Sequence, residues 1–177
     1  MYFDELKQNF IASTSALILL LTSGATVAQV KSDVSAIDSA VRSLNQQLQT
    51  DSLNYFSALA INSATNSLDD KIKSGTSDVK SVTETPTDAD AQEIISTLTG
   101  TEVNVKSATD RLIALKSQFN SLGVAGVVKA DIDSLKTDTA AFGAALVAAA
   151  PSAEKADAQA LTDKFNADLA SAAAAYN

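Results

Sequence analysis

Paired carboxylates are the commonest grouping in this sequence that could do chemistry: Asp69-Asp70, Asp88-x-Asp90 and Asp131-x-Asp133. Two carboxyls can serve as general acid and base, but only where a closed pocket raises the pKa of one of them. These pairs fall on polar helix faces or at helix starts, where acids are solvated or act as caps. Asp88-x-Asp90 opens like a calcium loop, yet the Gly and distal Glu of such a loop do not follow. Gly123 and Gly126 stand three apart without the Lys-Ser/Thr that a phosphate-cradling loop needs. The chain has no Cys and no His, which excludes thiol nucleophiles, thiolate or imidazole metal sites and Ser-His triads. The expectation is therefore a protein that is not an enzyme, with no metal and no cofactor.

What remains is apolar. Large apolar side chains recur at helical spacing and are the candidates for lining a ligand space in a helical core: Phe56 and Leu59 in one segment, Leu98, Val105, Leu112 and Phe119 in the next. Leu135, Phe142 and Leu146 follow, and then Phe165. The same residues could simply fill a solid core, as apolar stripes usually do. Ser63, Thr101 and Thr139 interrupt the stripes. An inward Ser or Thr commonly bonds the carbonyl four residues back, or it could meet the polar head of an apolar ligand.

The elements that must position these residues are helices. Ala, the best helix former, supplies 32 of 177 residues, and there are only two Pro. Val27, Val30, Val34, Ile37, Val41, Leu44 and Leu48 alternate three and four apart and predict one long amphipathic helix. A second helix is expected after Thr50 or Asp51, with Leu53, Phe56, Leu59, Ala60, Ser63 and Ser67 on one face and a break or fraying at Gly75. Thr87 is the expected N-cap of a helix over 88–121, bent at Gly100. Gly123 ends it as a C′ residue. Val128 to Ala149 carries the fourth stripe, Pro151 ends it, and Ser152 is expected to cap the last helix, whose inner face runs from Leu161 to Tyr176. The prediction is all-α: a single-domain bundle of five amphipathic helices over 27–177, with sequential neighbours antiparallel.

Hydrophobic residues at 46% argue against disorder, and a net charge of −8 with scattered Lys and Arg argues against nucleic acid as a partner. Residues 1–26 read as a secretory signal peptide. The apolar run Ala16 to Leu21 is followed by small-x-small sites ending at Ala25 or Ala28, although Asp4 and Glu5 outweigh Lys7 ahead of it. The run is shorter than the ~20 apolar residues of a membrane span, so no transmembrane segment is expected in the mature chain.

Five stretches come in a recognisable order. They are the segment from Asn54 to Ala64, Thr87 to Ile95, Phe119 to Ile132 around the Leu-Gly-Val-x-Gly turn, Leu146 to Pro151, and the Ala-rich end closing on Tyr176. Together they resemble the fungal hydrophobic surface binding protein A family, also called antigenic cell-wall galactomannoproteins, over about Val27 to Tyr176. The resemblance implies a secreted or cell-wall protein with a five-helix bundle. It also implies binding of a long-chain fatty acid inside, or adsorption to hydrophobic surfaces with recruitment of a secreted hydrolase. A structural wall antigen without ligand is the alternative. Two features depart from the pattern: the front of the chain lacks a basic region, and no Ser/Thr-rich stalk or hydrophobic tail for a lipid anchor is present. No Asn-x-Ser/Thr sequon occurs, so any mannan is expected on Ser or Thr.

Overall fold

A computed structural model describes residues 24–177. The expected leader therefore lies outside the described residues except for its last positions, 24–26. Those positions already belong to the fold: the Thr26 hydroxyl accepts from the Gln29 backbone N–H at 3.1 Å and caps the first helix.

Six helices follow one another and no strand occurs among the described residues: α1 Val27–Leu48, α2 Tyr55–Ser81, α3 Asp88–Ala114, α4 Lys116–Ser121, α5 Ala125–Ala149 and α6 Lys155–Ala175. All seven positions of the predicted α1 stripe are buried. A period of 3.6 carried without interruption over six turns leaves the helix one way to face a core.

The second helix departs from its expected form. It starts at Tyr55, not after Thr50 or Asp51, because Asn54 and Ser57 form a reciprocal capping box. It also runs unbroken through Gly75 to Ser81. Gly75 is buried there, in a space where a Cβ would come within 3.2 Å of the Phe142 ring. The inner face consists of Ala58, Ile61, Thr65, Leu68, Asp69, Ile72, Gly75 and Val79. The predicted face from Phe56 through Ser67 lies mostly outside it.

The helix expected over 88–121 is two helices, and the break falls at Leu115 rather than Gly100. Redirecting the chain there buries both Leu115 (2% exposed) and Phe119 (0%). It also places Gln118 so that its side-chain oxygen accepts from the Leu53 backbone N–H at 2.7 Å. Thr87 caps α3 as expected, paired with Asp90. Gly123 takes φ +74°. Its N–H donates to Asn120 and that of Val124 donates to Phe119, the Schellman pattern that only a residue tolerant of positive φ closes without strain. Ser152 does not cap α6. The helix begins two residues later, behind Glu154, whose buried carboxylate accepts from Gln92 at 2.9 Å.

Apart from short α4, each helix packs principally on two others, in the cyclic order α1, α2, α5, α6, α3 and back to α1. The bundle is thus a ring of five staves. With neighbouring axes about 10 Å apart, five helices stand roughly 8 Å from a common centre. Side chains fill about 5–6 Å of that, so a bore of roughly 2–3 Å radius is left along the axis unless large residues plug it. One seam is tighter than the rest. A Cβ on Gly143 of α5 would lie 2.4 Å from the Thr162 methyl of α6, so only glycine permits this approach.

Candidate binding cavity

The axial space is a cavity of about 120 Å³. One water needs about 10–15 Å³ by the same measure, so the core is not solid. All five long helices line it. At one end stand Val27, Val79, Val82, Pro86, Ala149 and Ala150; toward the other stand Leu44, Leu112, Leu135 and Leu169. Val27 to Leu44 alone spans 17 helical steps of about 1.5 Å, roughly 25 Å of wall.

None of the lining residues is charged. Four threonines supply its side-chain polarity, and three of these hydroxyls are already committed. Thr101 donates to Asp38 Oδ1 at 2.8 Å, Thr109 to the Lys106 carbonyl at 2.9 Å and Thr162 to the Ala158 carbonyl at 2.8 Å. The fourth, Thr139, is half-buried on α5. A molecule in this space meets hydrocarbon along its length and no cationic clamp.

Of the residues expected to line a ligand space, Leu98, Val105, Leu112, Leu135, Phe142, Leu146 and Phe165 converge on the cavity, as do Thr101 and Thr139. Four do not. Phe119 is fully buried but belongs to the plug beyond the Leu112 end, packed with α4. Phe56 is 82% exposed, Leu59 is 56% exposed, and Ser63 lies on the outer surface. Phe56, Leu59 and Ser63 lie away from the face of α2 that carries Ile61, Leu68, Ile72 and Val79, and that longer apolar stripe is the one that turns inward. Two signals were overlooked. The clean α1 stripe contributes Val30, Ile37, Val41 and Leu44 to the wall, and the Val82–Pro86 connection contributes two apolar side chains.

At the plugged end the Tyr176 hydroxyl donates to the Leu112 carbonyl at 2.7 Å. Burial pushes its pKa above the ordinary tyrosine value. The Lys116 ammonium sits 5.8 Å from the centre of the same ring and donates to the Ala175 carbonyl. At the opposite end Val82, Pro86, Ala149 and Ala150 are half-buried, while Val27 and Val79 beside them are buried. A second cavity, of about 140 Å³, lies between the first turns of α2 and α5. Tyr55, Leu59 and Val127 rim it, Asn62 donates to Asp131 within it at 2.8 Å, and Leu44, Leu112 and Leu135 separate it from the axial space. Burial raises the Asp131 pKa, partly offset by the Asn62 bond. Among the described residues no cluster of three or more acids could hold a metal, and no helix is long and apolar enough to cross a membrane.

Comparison with known proteins gives a consistent answer. The model of the hydrophobic surface binding protein A family matches residues 27–148. No curated protein matches the sequence. A solved structure of Afmp4p, described as a complex with palmitic acid, superposes with a TM-score of 0.80 at 27% identity, covering 85% of this chain and 99% of that one. Ligand binding domain 1 of the Penicillium marneffei MP1 protein, described as complexed with arachidonic acids, gives 0.76 at 16% identity, covering 83% and 95%. Ligand binding domain 2 of the same protein, with multiple arachidonic acids, gives 0.73 at 15%, covering 84% and 92%. At these last two identities the likeness is one of fold.

Proposed function

Because the chain belongs to the hydrophobic surface binding protein A family, we propose that its ring of helices is a carrier for one long apolar ligand, a fatty acid, held along the bundle axis. The observation that carries this reading is the uncharged axial cavity. Carbons in contact stand about 4 Å apart, so an alkyl chain has a half-thickness of about 2 Å, which suits the bore that five staves leave. An acyl tail reaches about 15 Å, half the ~30 Å hydrocarbon core of a bilayer, and the α1 wall is longer. The palmitic acid of the similar Afmp4p structure supports the same class of ligand.

The grip is burial of methylene groups, about 0.8 kcal/mol each when fully removed from water. With no cation in the lining, the carboxylate is best accommodated at the Pro86 end, where the wall is half-exposed and water can solvate it. The test is native mass spectrometry of the purified chain before and after addition of palmitate, followed by lipid extraction. Retained or acquired fatty acid at one or two per chain is expected. A folded chain that arrives empty and refuses palmitate would overturn the reading.

Adsorption to a hydrophobic surface is a second reading with its own observation. Tyr55, Phe56 and Leu59 in the first turns of α2 and Val127 in α5 are large, apolar and exposed by 49–82%, and apolar groups gathered in this way mark contact sites. On this reading Phe56→Ser weakens adsorption to apolar beads and leaves palmitate uptake unchanged. Equal adsorption by both proteins would sink it. An extracellular, cell-wall setting in a fungus, with an apolar surface as partner there, is part of the same proposal. Immunogold labelling of intact cells is the check, and label confined to the cytoplasm would rule that setting out.

A further inference from the structure

Three of the five seams in the ring carry an unusual pairing. Asp33 of α1 faces Asp78 of α2, Asp69 of α2 faces Asp138 of α5 with the Lys73 ammonium reaching both, and Glu102 of α3 faces Asp168 of α6. One oxygen in each pair is buried without a hydrogen-bond partner: Asp33 Oδ2, Asp69 Oδ1 and Asp168 Oδ2. Two ionised carboxylates placed so repel one another. A single proton between them turns the repulsion into a short O–H···O bond and satisfies the orphaned oxygen. The remaining two seams differ. Lys31 joins α1 to Asp90 and Glu93 of α3, and α5 meets α6 at Gly143 and Thr162.

The pairs are not spread evenly. Helix α2 carries one on each edge, toward α1 and toward α5. We propose that α2 is a proton-latched stave. Acidic conditions hold it in the ring through Asp33–Asp78 and Asp69–Asp138, and rising pH loosens it, opening the axial cavity sideways for apolar ligand to enter and leave. The second half of this proposal rests on the carrier reading above.

The groups facing each pair determine how far the latch responds. At the α1–α2 seam Gln29 donates to Asp33 Oδ1 at 2.9 Å and tempers the shift. At the α2–α5 seam Lys73 reaches Asp69 at 2.6 Å and Asp138 at 3.5 Å and favours ionisation of Asp138, and the charge of Asp69 acts on Asp131 as well. At the α3–α6 seam Lys106 favours ionisation of Asp168 and Asp110 opposes it. Burial first, and the facing carboxylate next, hold Asp33, Asp138 and Asp168 protonated above the ordinary aspartate range. A folded-state pKa that is raised stabilises the fold fully below the unfolded value, and that stability is lost as pH rises through the folded value.

The experiment compares the wild-type chain with Asp33→Asn/Asp138→Asn, whose amides replace the protonated acids on the α1 and α5 sides of the two latches. Neither residue lines the cavity. Hydrogen exchange of α2, corrected for its intrinsic pH dependence, is read at about pH 3.5, below the unfolded carboxylate value, and at about pH 8. The release rate of diphenylhexatriene, an apolar fluorophore with no titratable group, is read alongside. In the wild type both rates should rise, by up to about tenfold per unit of raised pKa for each latch; in the double variant both should stay slow. Should the double variant not fold, the two single variants are read in the same way. The latch is overturned if α2 exchanges no faster at the higher pH, if the variant keeps the wild-type response, or if added calcium and not protons protects α2. Failure of the fluorophore to bind at any pH would count against the carrier reading alone, since exchange of α2 decides the latch without a ligand.

Discussion

The hydroxyl of Tyr176 donates to the carbonyl oxygen of Leu112, 64 positions earlier, at 2.7 Å and out of contact with solvent. This bond ties the last turn of α6 to the end of α3, just before the chain breaks its helix at Leu115. It closes the end of the ring opposite Pro86. Tyr176→Phe keeps the ring packing and loses the bond, and should cost about 1 kcal/mol. Tyr176→Ala loses both and should cost about 3–5 kcal/mol. Urea denaturation with a common slope is the measurement, and equal costs for the two variants would show that the bond, not the packing, holds this end.

Phe119 and Phe142 are both buried rings but do different work. Phe119 is wholly enclosed in the plug, whereas Phe142 stands on the cavity wall with open space on one side. Phe119→Ala should cost about 3–5 kcal/mol and Phe142→Ala less than that, because fewer contacts are lost. Phe142→Ala should also take up a bulkier acyl chain. Equal losses would indicate a core filled around both rings.

The seam at Gly143 yields a sharper expectation. Gly143→Ala puts a methyl group 2.4 Å from the Thr162 methyl and 2.8 Å from its hydroxyl oxygen, which should destabilise by about 1–3 kcal/mol through overpacking. Thr162→Ala removes both of the nearest atoms, so the double variant should lose less than the sum of the single changes. A strictly additive double-mutant cycle would refute the contact.

Asp90 responds to acid in the sense opposite to the seam carboxyls. Lys31 foremost, and then its bonds to Thr87, depress its pKa to about 2. A depressed acid stabilises the fold above the unfolded carboxylate value and loses that contribution as pH falls toward about 2. Thermal melts should therefore fall at the acid extreme as well as toward neutral pH, with the optimum between. Asp90→Asn should flatten the acid limb and leave the neutral limb unchanged. A wild-type melting temperature that climbs steadily from pH 2 to pH 8 would contradict both assignments.

Salt should have little effect on ligand affinity, because no charged residue lines the cavity and burial of hydrocarbon is not screened. Titration of the apolar fluorophore at low and high sodium chloride measures this directly. A steep loss of affinity at high salt would require an ionic contact that the cavity does not contain.

Local signals carried much of this fold into the sequence. The α1 stripe was legible because one period runs uninterrupted from Val27 to Leu48, and every member is buried. Thr87 and Gly123 were legible because a capping hydroxyl and a positive φ are demands of a few adjacent residues. Helix α2 was not. Its first turns carry its two aromatic residues, Tyr55 and Phe56, and Leu59 on the outside, while its buried face mixes Thr65, Asp69 and Gly75 with Ile61, Leu68 and Ile72. Hydrophobicity alone therefore pointed to the wrong face, and the Asn54–Ser57 capping box that sets the true start is a weak pattern in a Ser- and Asn-rich stretch.

That the helices are amphipathic, each with a mostly apolar inner face, follows from the order of residues along the chain. Whether those faces meet in a filled core or leave a bore depends on how many staves close the ring and in what order. Here α1 neighbours α2 and α3, while α5 and α6 close the far side. The carboxyl pairs across the seams have the same origin. Asp33 and Asp78 stand 45 positions apart, Asp69 and Asp138 stand 69 apart, and neither pair has any local pattern to mark it. Periodicity reports which side of a helix avoids water, but a cavity and a cross-seam contact are properties of several helices at once, and only their closure around a common axis creates them.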